Sequence, residues 1–379
     1  MSPSIATFSP QAALARVRDG AQLIDVREPG ERASGMAEGA EGVSLGDLLA
    51  DSESHLGGPQ SGREILLICA HGQRSWTAAR ALAERGYCRL ASVEGGTERW
   101  RAEGLPMSEP LADTDFLSRY SRHLLLPQVG LEGQCRLEQA RVLLVGAGGL
   151  GSPIALYLAA AGVGTLVLCD DDVVELSNLQ RQIIHTQASL GQAKVESARH
   201  AIAALNPRTN VVAVPQRLTA DTIDALLAGV DLVVDGADNF AVRYLVSDAC
   251  VKHAIPMVYG AVERFTGQVS VFDAGRQRGI APCYRCLFPE PPRPEDAPNC
   301  AEAGVIGVMP GIVGLLQANE AIKLLLDIGD VLVGRLLRFD ALAAGFRETR
   351  VRPDPGCPVC AAGREFPGYI DYGRFCSGG

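Results

Sequence analysis

The feature that most constrains the fold is the stretch RVLLVGAGGLGSPIALYLAAAGVGTLVLCD at residues 141–170. An apolar run, a glycine loop, a small-residue segment and a second apolar run follow one another, and this order predicts a βαβ unit. The loop fits G-x-G-x-x-G at Gly146, Gly148 and Gly151, with an additional glycine at Gly149. Glycine lets a phosphate approach backbone N–H groups at a helix N-terminus, so the segment predicts a phosphate-binding loop beside a parallel sheet.

Polar residues after this unit indicate what kind of phosphate compound it binds. Asp170 ends the second strand and could bind ribose hydroxyls, which by itself is typical of an NAD-linked dehydrogenase. Arg181 and Lys194 follow, and these cations suit a site that stabilises charge developing on a nucleotide phosphate. Asp238 ends the run VDLVVDGAD, where a carboxylate beside a polyphosphate is a plausible Mg²⁺ ligand. The further candidate cofactor-binding residues are Asp172, Asn178, Gln182 and Asn239.

A second motif, CAHGQR from Cys69 to Arg74, lies between the apolar run EILLICA and a predicted helix. Such a loop turns several backbone N–H groups toward its centre, and the helix dipole adds to this anion nest. The loop should therefore stabilise a thiolate at Cys69. Arg74 is the fifth residue after the cysteine, so the loop is one residue shorter than the C-x5-R loop of tyrosine phosphatases. The alternative is a small apolar cysteine that ends a buried strand.

The chain has eleven cysteines, and four of them form two CxxC pairs, Cys283 with Cys286 and Cys357 with Cys360. Four thiolates predict a tetrahedral, structural zinc site, and the alternative is a redox-active pair. The N-terminus does not resemble a signal peptide, so this cysteine usage favours a reducing cytoplasm over a disulfide framework. A net charge of −9 and a pI near 5.3 argue against a nucleic acid or an anionic membrane as a partner.

The second part of the sequence resembles a known enzyme family. RYSRH, GAGGLGS, DDDVVELSNLQRQ, GQAKVES and DGADN, in this order between Phe116 and Cys360, resemble adenylyltransferases of the MoeB and ThiF type. The resemblance implies that ATP adenylates the C-terminal Gly-Gly carboxylate of a ubiquitin-like sulfur carrier. It also implies that Gly148 and its neighbours hold phosphates and that Asp170 binds ribose. The implied phosphate contacts are Asn178, Arg181 and Lys194, and the implied Mg²⁺ ligand is Asp238.

Two further residues take their expected roles from the same resemblance. Arg122, the second arginine of RYSRH, would reach into the active site of a partner subunit, which implies a homodimer. Cys300 in NCAEAGVIG resembles the position at which some relatives keep a cysteine that bonds covalently to the carrier. The alternative for Cys300 is a small buried residue without a chemical role. The family also has the paired CxxC arrangement.

The first part of the sequence is similar to single-domain rhodaneses. The similarity rests on LIDVREPGERASGMAEGA, which contains Asp25 and Arg27, on CAHGQR, and on VEGGTERWRAEGLP. It implies that Cys69 accepts sulfane sulfur as a persulfide, from thiosulfate or from the persulfide of a cysteine desulfurase. Arg74 would complete the loop.

Together these observations predict an α/β protein of two domains. Residues 1–107 should form a rhodanese-like domain, 108–115 a linker, 116–363 a Rossmann-like adenylyltransferase domain with a mixed sheet, and 364–379 a C-terminal tail that ends in an exposed CSGG. The predicted function is carrier adenylation coupled to sulfur transfer, which would give a thiocarboxylate. The carrier could serve molybdopterin, thiamine, tRNA thiolation or a specialised pathway. The alternatives are an NAD-linked oxidoreductase with a regulatory rhodanese-like module, and a scaffold that binds carriers without catalysis.

Overall fold

The computed structural model describes residues 5–110, 113–291 and 304–376. Backbone contacts divide the chain into two compact units, Met1–Gln134 and Cys135–Gly379. Within the described ranges, no helix combines the length and the apolar character that a membrane span requires.

The first unit contains a sheet of five parallel strands in the order β1-β5-β4-β2-β3. Strand β4 is apolar at every position because both of its faces are covered, with Leu66 in one core cluster and Leu67 in the other. The strands are β1 Ala6–Phe8, β2 Gln22–Asp25, β3 Ala40–Gly42, β4 Ile65–Ile68 and β5 Leu90–Val93. The helices that begin in this unit are Pro10–Arg18, Pro29–Arg32, Leu45–Ala50, Ser52–Leu56, Gln73–Glu84, Gly96–Ala102, Thr114–Arg119, Ser121–Leu124 and Gly130–Gln139.

The second unit contains an eight-stranded mixed sheet in the order β13-β12-β11-β10-β9-β6-β7-β8. Neighbouring strands from β10 to β8 are parallel, and those from β10 to β13 are antiparallel. The strands are β6 Arg141–Val145, β7 Thr165–Cys169, β8 Asn210–Val214, β9 Leu232–Asp235, β10 Met257–Glu263, β11 Thr266–Phe272, β12 Arg335–Asp340 and β13 Gly345–Arg350. The chain runs from β6 outward to β8 and returns to β9 on the other side of β6. This reversal opens a crevice at the carboxyl ends of β6 and β9, where doubly wound folds bind ligands.

Helices cover this sheet where its strands are apolar. The longest, Val308–Leu326, packs against β10 and against the helix that follows the glycine loop. It begins at Val308, slightly before the start near Gly311 that the sequence suggested. Among the described residues of this unit, the α-helices are Gly151–Ala161, Lys194–Leu205, Ile223–Leu226, Phe240–His253, Tyr284–Leu287, Val308–Leu326 and Tyr372–Cys376.

The described part of the C-terminal tail is mostly exposed, but its last helix packs against the second unit. The helix Tyr372–Cys376 lies against Phe240–His253, and Tyr372 is buried. The Tyr372 hydroxyl donates to Asp248 at 2.8 Å, and Phe375 packs its ring against Tyr244. Tail aromatic residues thus extend the core of the second unit.

The division by backbone contacts differs from the predicted linker at 108–115. It assigns residues up to Gln134 to the first unit, because the helix Ser121–Leu124 packs against Pro29–Arg32. The predicted domain limits stay predictions. Secondary structure agrees with the expected strand, loop and helix order in both units, and the α/β fold class with a mixed second sheet is confirmed.

Candidate functional sites

The thiol of Cys69 lies in a loop that supplies hydrogen-bond donors to sulfur. Cys69 follows β4 directly, and its side chain is 1% exposed. The Gly72 N–H donates to Sγ at 3.1 Å, and the Ser75 hydroxyl lies 3.4 Å from Sγ. The helix Gln73–Glu84 begins at the end of this loop, so its N-terminus faces the sulfur region. These contacts suit a sulfur that carries negative charge.

A second segment holds the loop in place. The helix Gly96–Ala102 directs its first N–H groups at the loop, with Thr97 N–H donating to the Cys69 carbonyl at 2.8 Å. Gly96 has φ +60°, and a Cβ there would lie 2.0 Å from the same carbonyl oxygen. Only glycine allows this approach. The motif VEGG by itself does not reveal this role of Gly96.

Arg74 is held at the rim of the loop by a carboxylate. Its guanidinium forms two hydrogen bonds to Glu31, at 2.6 and 2.7 Å. Burial acts to raise the pKa of Glu31, but the Arg74 guanidinium and the Glu28 N–H more than offset it, so that pKa lies below its ordinary value. The same ion pair raises the pKa of Arg74. No local motif predicts this pairing, because Glu31 and Arg74 are 43 residues apart.

The predicted rhodanese residues Asp25 and Arg27 form a buried ion pair. Arg27 Nη2 lies 2.6 Å from the Asp25 carboxylate and also donates to the Gly35 carbonyl at 2.8 Å. Both side chains are almost completely buried. The pair therefore fixes the segment after β2, from which Glu31 projects.

The second site is a cavity of about 830 Å³ at the carboxyl ends of β6 and β9. It lies in the crevice that the strand order creates, and it brings together most of the predicted nucleotide-binding residues. Those in its lining are Gly146, Gly148, Gly149, Asp170, Asp172, Arg181, Gln182, Lys194, Asp238 and Asn239. The cavity continues along the hairpin of β10 and β11, where Glu263, Thr266 and Gln268 line it.

Two predicted residues do not line this cavity. Asn178 accepts a hydrogen bond from Glu175 N–H at 3.1 Å and shapes the turn that carries Arg181 and Gln182. Gly151 lies so close to the loop that a Cβ there would be 2.0 Å from the Gly146 carbonyl oxygen. Both residues shape the backbone around the cavity.

Charged residues of the cavity are paired with their surroundings. Asp170 accepts from Ala147 N–H at 2.7 Å, and burial raises the pKa of its carboxyl. Lys194 is buried and pairs with Asp172 at 2.7 Å. Asp170 and Asp172, with Asp171 between them, bring their carboxylate oxygens within 4.8 Å of one another. The ammonium group thus lies next to an acidic cluster beside the glycine loop.

His185 contacts the backbone of the glycine loop and helps to hold it in place. Its ring nitrogens lie 3.0 Å from the Ala147 carbonyl oxygen and 2.9 Å from the Ser197 hydroxyl. Burial lowers the pKa of His185, and the charge of Lys194 adds to this effect. A neutral imidazole can satisfy both contacts by donating to the carbonyl and accepting from the hydroxyl.

A buried ion pair lies next to the loop that carries Asp238, and sequence reasoning missed it. Asp235 at the end of β9 pairs with Arg243 at 2.8 Å, and Arg243 also donates to the Ala237 carbonyl at 2.6 Å. Gln317 from the longest helix donates to the Asp235 carbonyl at 2.7 Å. These contacts hold the loop that presents Asp238. A charged residue inside an otherwise apolar helix segment, NFAVRYLV, is the signal that could have identified Arg243.

The four predicted metal ligands converge. Sulfur atoms of Cys283 and Cys357 lie 3.6 Å apart, those of Cys286 and Cys360 3.4 Å, and those of Cys283 and Cys286 3.9 Å. A tetrahedral ion with metal–sulfur bonds of about 2.3 Å, as zinc has, sets its ligands about 3.8 Å apart. The Asp354 N–H also donates to Cys286 Sγ at 3.3 Å. The cluster fits four thiolates around one ion, and it could hold zinc.

Two predicted catalytic residues are not brought to either site. Arg122 lies in the helix Ser121–Leu124 of the first unit, and its side chain is exposed. Its role in a partner's site stays a prediction. Cys300 lies outside the residues that the structure describes.

The fold and these sites define an α/β unit with a glycine-loop cavity, preceded by a unit whose loop surrounds a buried cysteine with hydrogen-bond donors. A family model described as the ThiF family matches residues 120–359, and one described as a rhodanese-like domain matches residues 9–103. The chain belongs to the ThiF family, and it carries a rhodanese-like domain.

Curated relatives agree with this assignment. The sulfur carrier protein adenylyltransferase of Thermus thermophilus is 51% identical over 261 residues, which are 69% of this chain and 96% of that protein. The SAMP-activating enzyme E1 of Haloferax volcanii is 50% identical over 251 residues, or 66% and 91% of the two chains. The probable adenylyltransferase/sulfurtransferase MoeZ of Mycobacterium tuberculosis is 47% identical over 273 residues, which are 72% of this chain and 68% of that protein.

Solved structures with this fold are more distant in sequence. E. coli MccB with ATP gives a TM-score of 0.53 at 21% identity, covering 65% of this chain and 72% of that one. PaaA gives a TM-score of 0.55 at 22% identity, covering 68% and 80%. At this identity the likeness supports the fold alone.

Proposed function

We propose that the protein uses ATP to adenylate the C-terminal Gly-Gly carboxylate of a ubiquitin-like sulfur carrier, and that Cys69 supplies sulfur to the activated carrier. The observation that carries the first part is the cavity at the carboxyl ends of β6 and β9. It combines a glycine loop, the cations Arg181 and Lys194, and the exposed carboxylate of Asp238. The relatives are named adenylyltransferases and not oxidoreductases, so we do not retain the nicotinamide alternative.

The cavity suits a reaction that needs positioning more than proton transfer. A carboxylate is already ionised at neutral pH, and its oxygen attacks the α-phosphorus while pyrophosphate leaves. The barrier is the approach of two anions, which Arg181, Lys194 and the loop N–H groups lower by neutralising charge. The arm of the cavity beside β10 and β11 gives an extended carrier tail a path to the phosphate. Mg²⁺ held by Asp238 would neutralise further phosphate charge.

The sulfur step uses the thiol loop. A persulfide on Cys69 attacks the acyl carbon of the carrier adenylate, and AMP leaves. A second thiolate then attacks the Cys69 sulfur of the resulting acyl disulfide, forms a disulfide with Cys69 and releases the carrier as a thiocarboxylate. An external thiol reduces the new disulfide before the next turnover. Cys300 is our candidate for the second thiolate.

Three further features belong to the proposal. The four-cysteine cluster holds a structural Zn²⁺ that joins residues 283–286 to residues 357–360. The protein acts as a cytoplasmic homodimer, in which Arg122 completes the partner subunit's site. The sulfur donor is thiosulfate or a protein persulfide.

The test is carrier-dependent ATP–pyrophosphate exchange by the full chain. The probe is a ubiquitin-like sulfur carrier ending in Gly-Gly, and the same carrier without its last glycine is the substrate control. Asp238→Ala and Arg181→Ala should each reduce exchange by about 100-fold or more, because each removes charge stabilisation in the transition state. Arg199→Ala is the matched control, since Arg199 is an exposed arginine paired with Glu196 outside the cavity. Near-normal exchange in both cavity variants would refute the assignment.

A further inference from the structure

We propose that Glu31 selects the sulfur donor by occupying the loop arginine, so that the thiol loop disfavours dianionic thiosulfate and favours a persulfide. The inference rests on the proposed sulfur transfer at Cys69. Its structural basis is the two-pronged contact in which both terminal nitrogens of Arg74 bind the two carboxylate oxygens of Glu31.

This contact uses the edge of the guanidinium that would otherwise bind an oxyanion. Arginine recognises carboxylate, phosphate or sulfonate groups with paired N–H donors, and a bidentate partner already fills that position in this structure. Glu31 has a side chain exposed by 20% and Arg74 by 36%, so the pair lies at the mouth of the loop, half shielded from water. An incoming anion must displace Glu31 or bind elsewhere.

The charges around the mouth point in the same direction. Glu28 and Cys69 lie close enough to Arg74 to act on it electrostatically, in addition to Glu31. Arg27 also acts on Glu31, but its own charge is balanced by its buried pair with Asp25. Two carboxylates, Glu28 and Glu31, therefore act electrostatically on one arginine. The local balance is negative, and it repels a dianion.

The two donor classes place different charge at this mouth. With thiosulfate, the Cys69 thiolate attacks the outer sulfur, a new S–S bond forms at Cys69, and sulfite leaves as a dianion with the electron pair of the broken bond. With a persulfide R–S–SH, the thiolate attacks the terminal sulfur, which keeps its proton, and the donor leaves as the thiolate R–S⁻. Both steps yield a persulfide on Cys69. Only the first brings two negative charges to the Glu31 carboxylate.

The variant Glu31→Gln tests this role with little structural change. Glu31 also accepts a hydrogen bond from Glu28 N–H at 3.1 Å, and the amide oxygen of glutamine can keep that bond. The negative charge of Glu31 is lost in this variant. The two terminal nitrogens of Arg74 then become available to an anion. Glu84→Gln is the matched control. Glu84 is exposed and pairs with Arg80 at the far end of the helix Gln73–Glu84, which carries Arg74 near its start.

The experiment measures persulfide formation on Cys69 in the full chain by intact mass, with thiosulfate and with cysteine persulfide as separate donors. Glu31→Gln should raise the second-order rate constant for thiosulfate about tenfold and change that for cysteine persulfide less than twofold. Glu31→Asp, which keeps the charge, should retain the wild-type ratio of the two donors, and so should Glu84→Gln. The gain in the thiosulfate rate constant should be smaller at high ionic strength, because the Arg74–Glu31 pair is partly exposed and salt screens its charges.

Two results would overturn the inference alone. The thiosulfate rate could fall in Glu31→Gln, which would mean that Glu31 holds Arg74 in a productive position for the anion. Both donors could also change by the same factor, which would make Glu31 purely structural. If no persulfide forms on Cys69 in the wild-type chain with either donor, the proposed sulfur transfer fails together with this inference.

Discussion

Replacing Gly96 with alanine tests whether the segment after β5 fixes the thiol loop. Gly96 has φ +60°. A Cβ added at Gly96 would lie 2.0 Å from the Cys69 carbonyl oxygen and 2.5 Å from the Ala70 carbonyl oxygen. Gly104 offers a matched control in the same unit. It has φ +67°, and a Cβ there would meet no atom within 4 Å.

The expected magnitude follows from this comparison. An alanine in the left-handed region costs about 1–2 kcal/mol, and both variants carry this cost. Only Gly96→Ala adds a clash that moves the Cys69 carbonyl by about 1 Å, and overpacking of this kind costs a further 1–3 kcal/mol or so. Gly96→Ala should therefore destabilise the first unit by about 2–5 kcal/mol, against about 1–2 kcal/mol for Gly104→Ala.

Tryptophan fluorescence measures the stability of the first unit in the full chain. Both tryptophans, Trp76 and Trp100, lie in the first unit, and Trp100 is completely buried. A urea titration followed by their fluorescence thus reports the stability of that unit. Persulfide formation on Cys69 should be largely lost in Gly96→Ala under conditions where the variant is folded. Carrier-dependent ATP–pyrophosphate exchange should remain, since the nucleotide cavity belongs to the second unit.

The reasoning is refuted if the two variants have equal stability within error. It is also refuted if folded Gly96→Ala loads sulfur on Cys69 at the wild-type rate. Either result would mean that the loop adapts to an added methyl group without moving its sulfur.

Two further predictions concern the second unit. Cys357→Ser should reduce bound zinc from one ion per chain to well below one and lower the melting temperature, whereas the exposed Cys88→Ser should do neither. Full stability in a metal-free Cys357→Ser variant would argue against a structural ion. For His185, burial lowers the pKa in the folded state, so the unfolded chain takes up a proton near pH 6.5 that the folded chain does not. Unfolding free energy should therefore decrease as pH falls below about 6.5, and His185→Asn should flatten this dependence while the exposed His200→Asn leaves it unchanged. Equal slopes in all three proteins would contradict the assignment.

Several features could be predicted from the sequence because they depend on neighbours along the chain. The glycine loop at 146–151 needs only local backbone freedom between two apolar runs, and the structure has it between β6 and the next helix. The two CxxC pairs each present two sulfurs from one short turn, so their residue type and spacing already indicated a metal cluster. The parallel arrangement followed from alternating strand and helix patterns.

Partners that are distant along the chain were not predictable in this way. Arg74 was expected to complete the thiol loop, but its ion-pair partner is 43 residues away at Glu31. Tyr372 in the C-terminal tail donates a hydrogen bond to Asp248, which lies 124 residues away along the chain.

The order of strands explains the difference. The sequence alone determined that there is a strand, a loop and a helix at each motif, because backbone preferences and apolar periodicity act over a few residues. The tertiary structure decided that β5, β4 and β2 are neighbours in one sheet. Loops after neighbouring parallel strands meet at the same edge, and this brings Gly96 and Glu31 to the two sides of the Cys69 loop. Sequence motifs therefore predicted which residues would react, and the strand order decided which residues hold them.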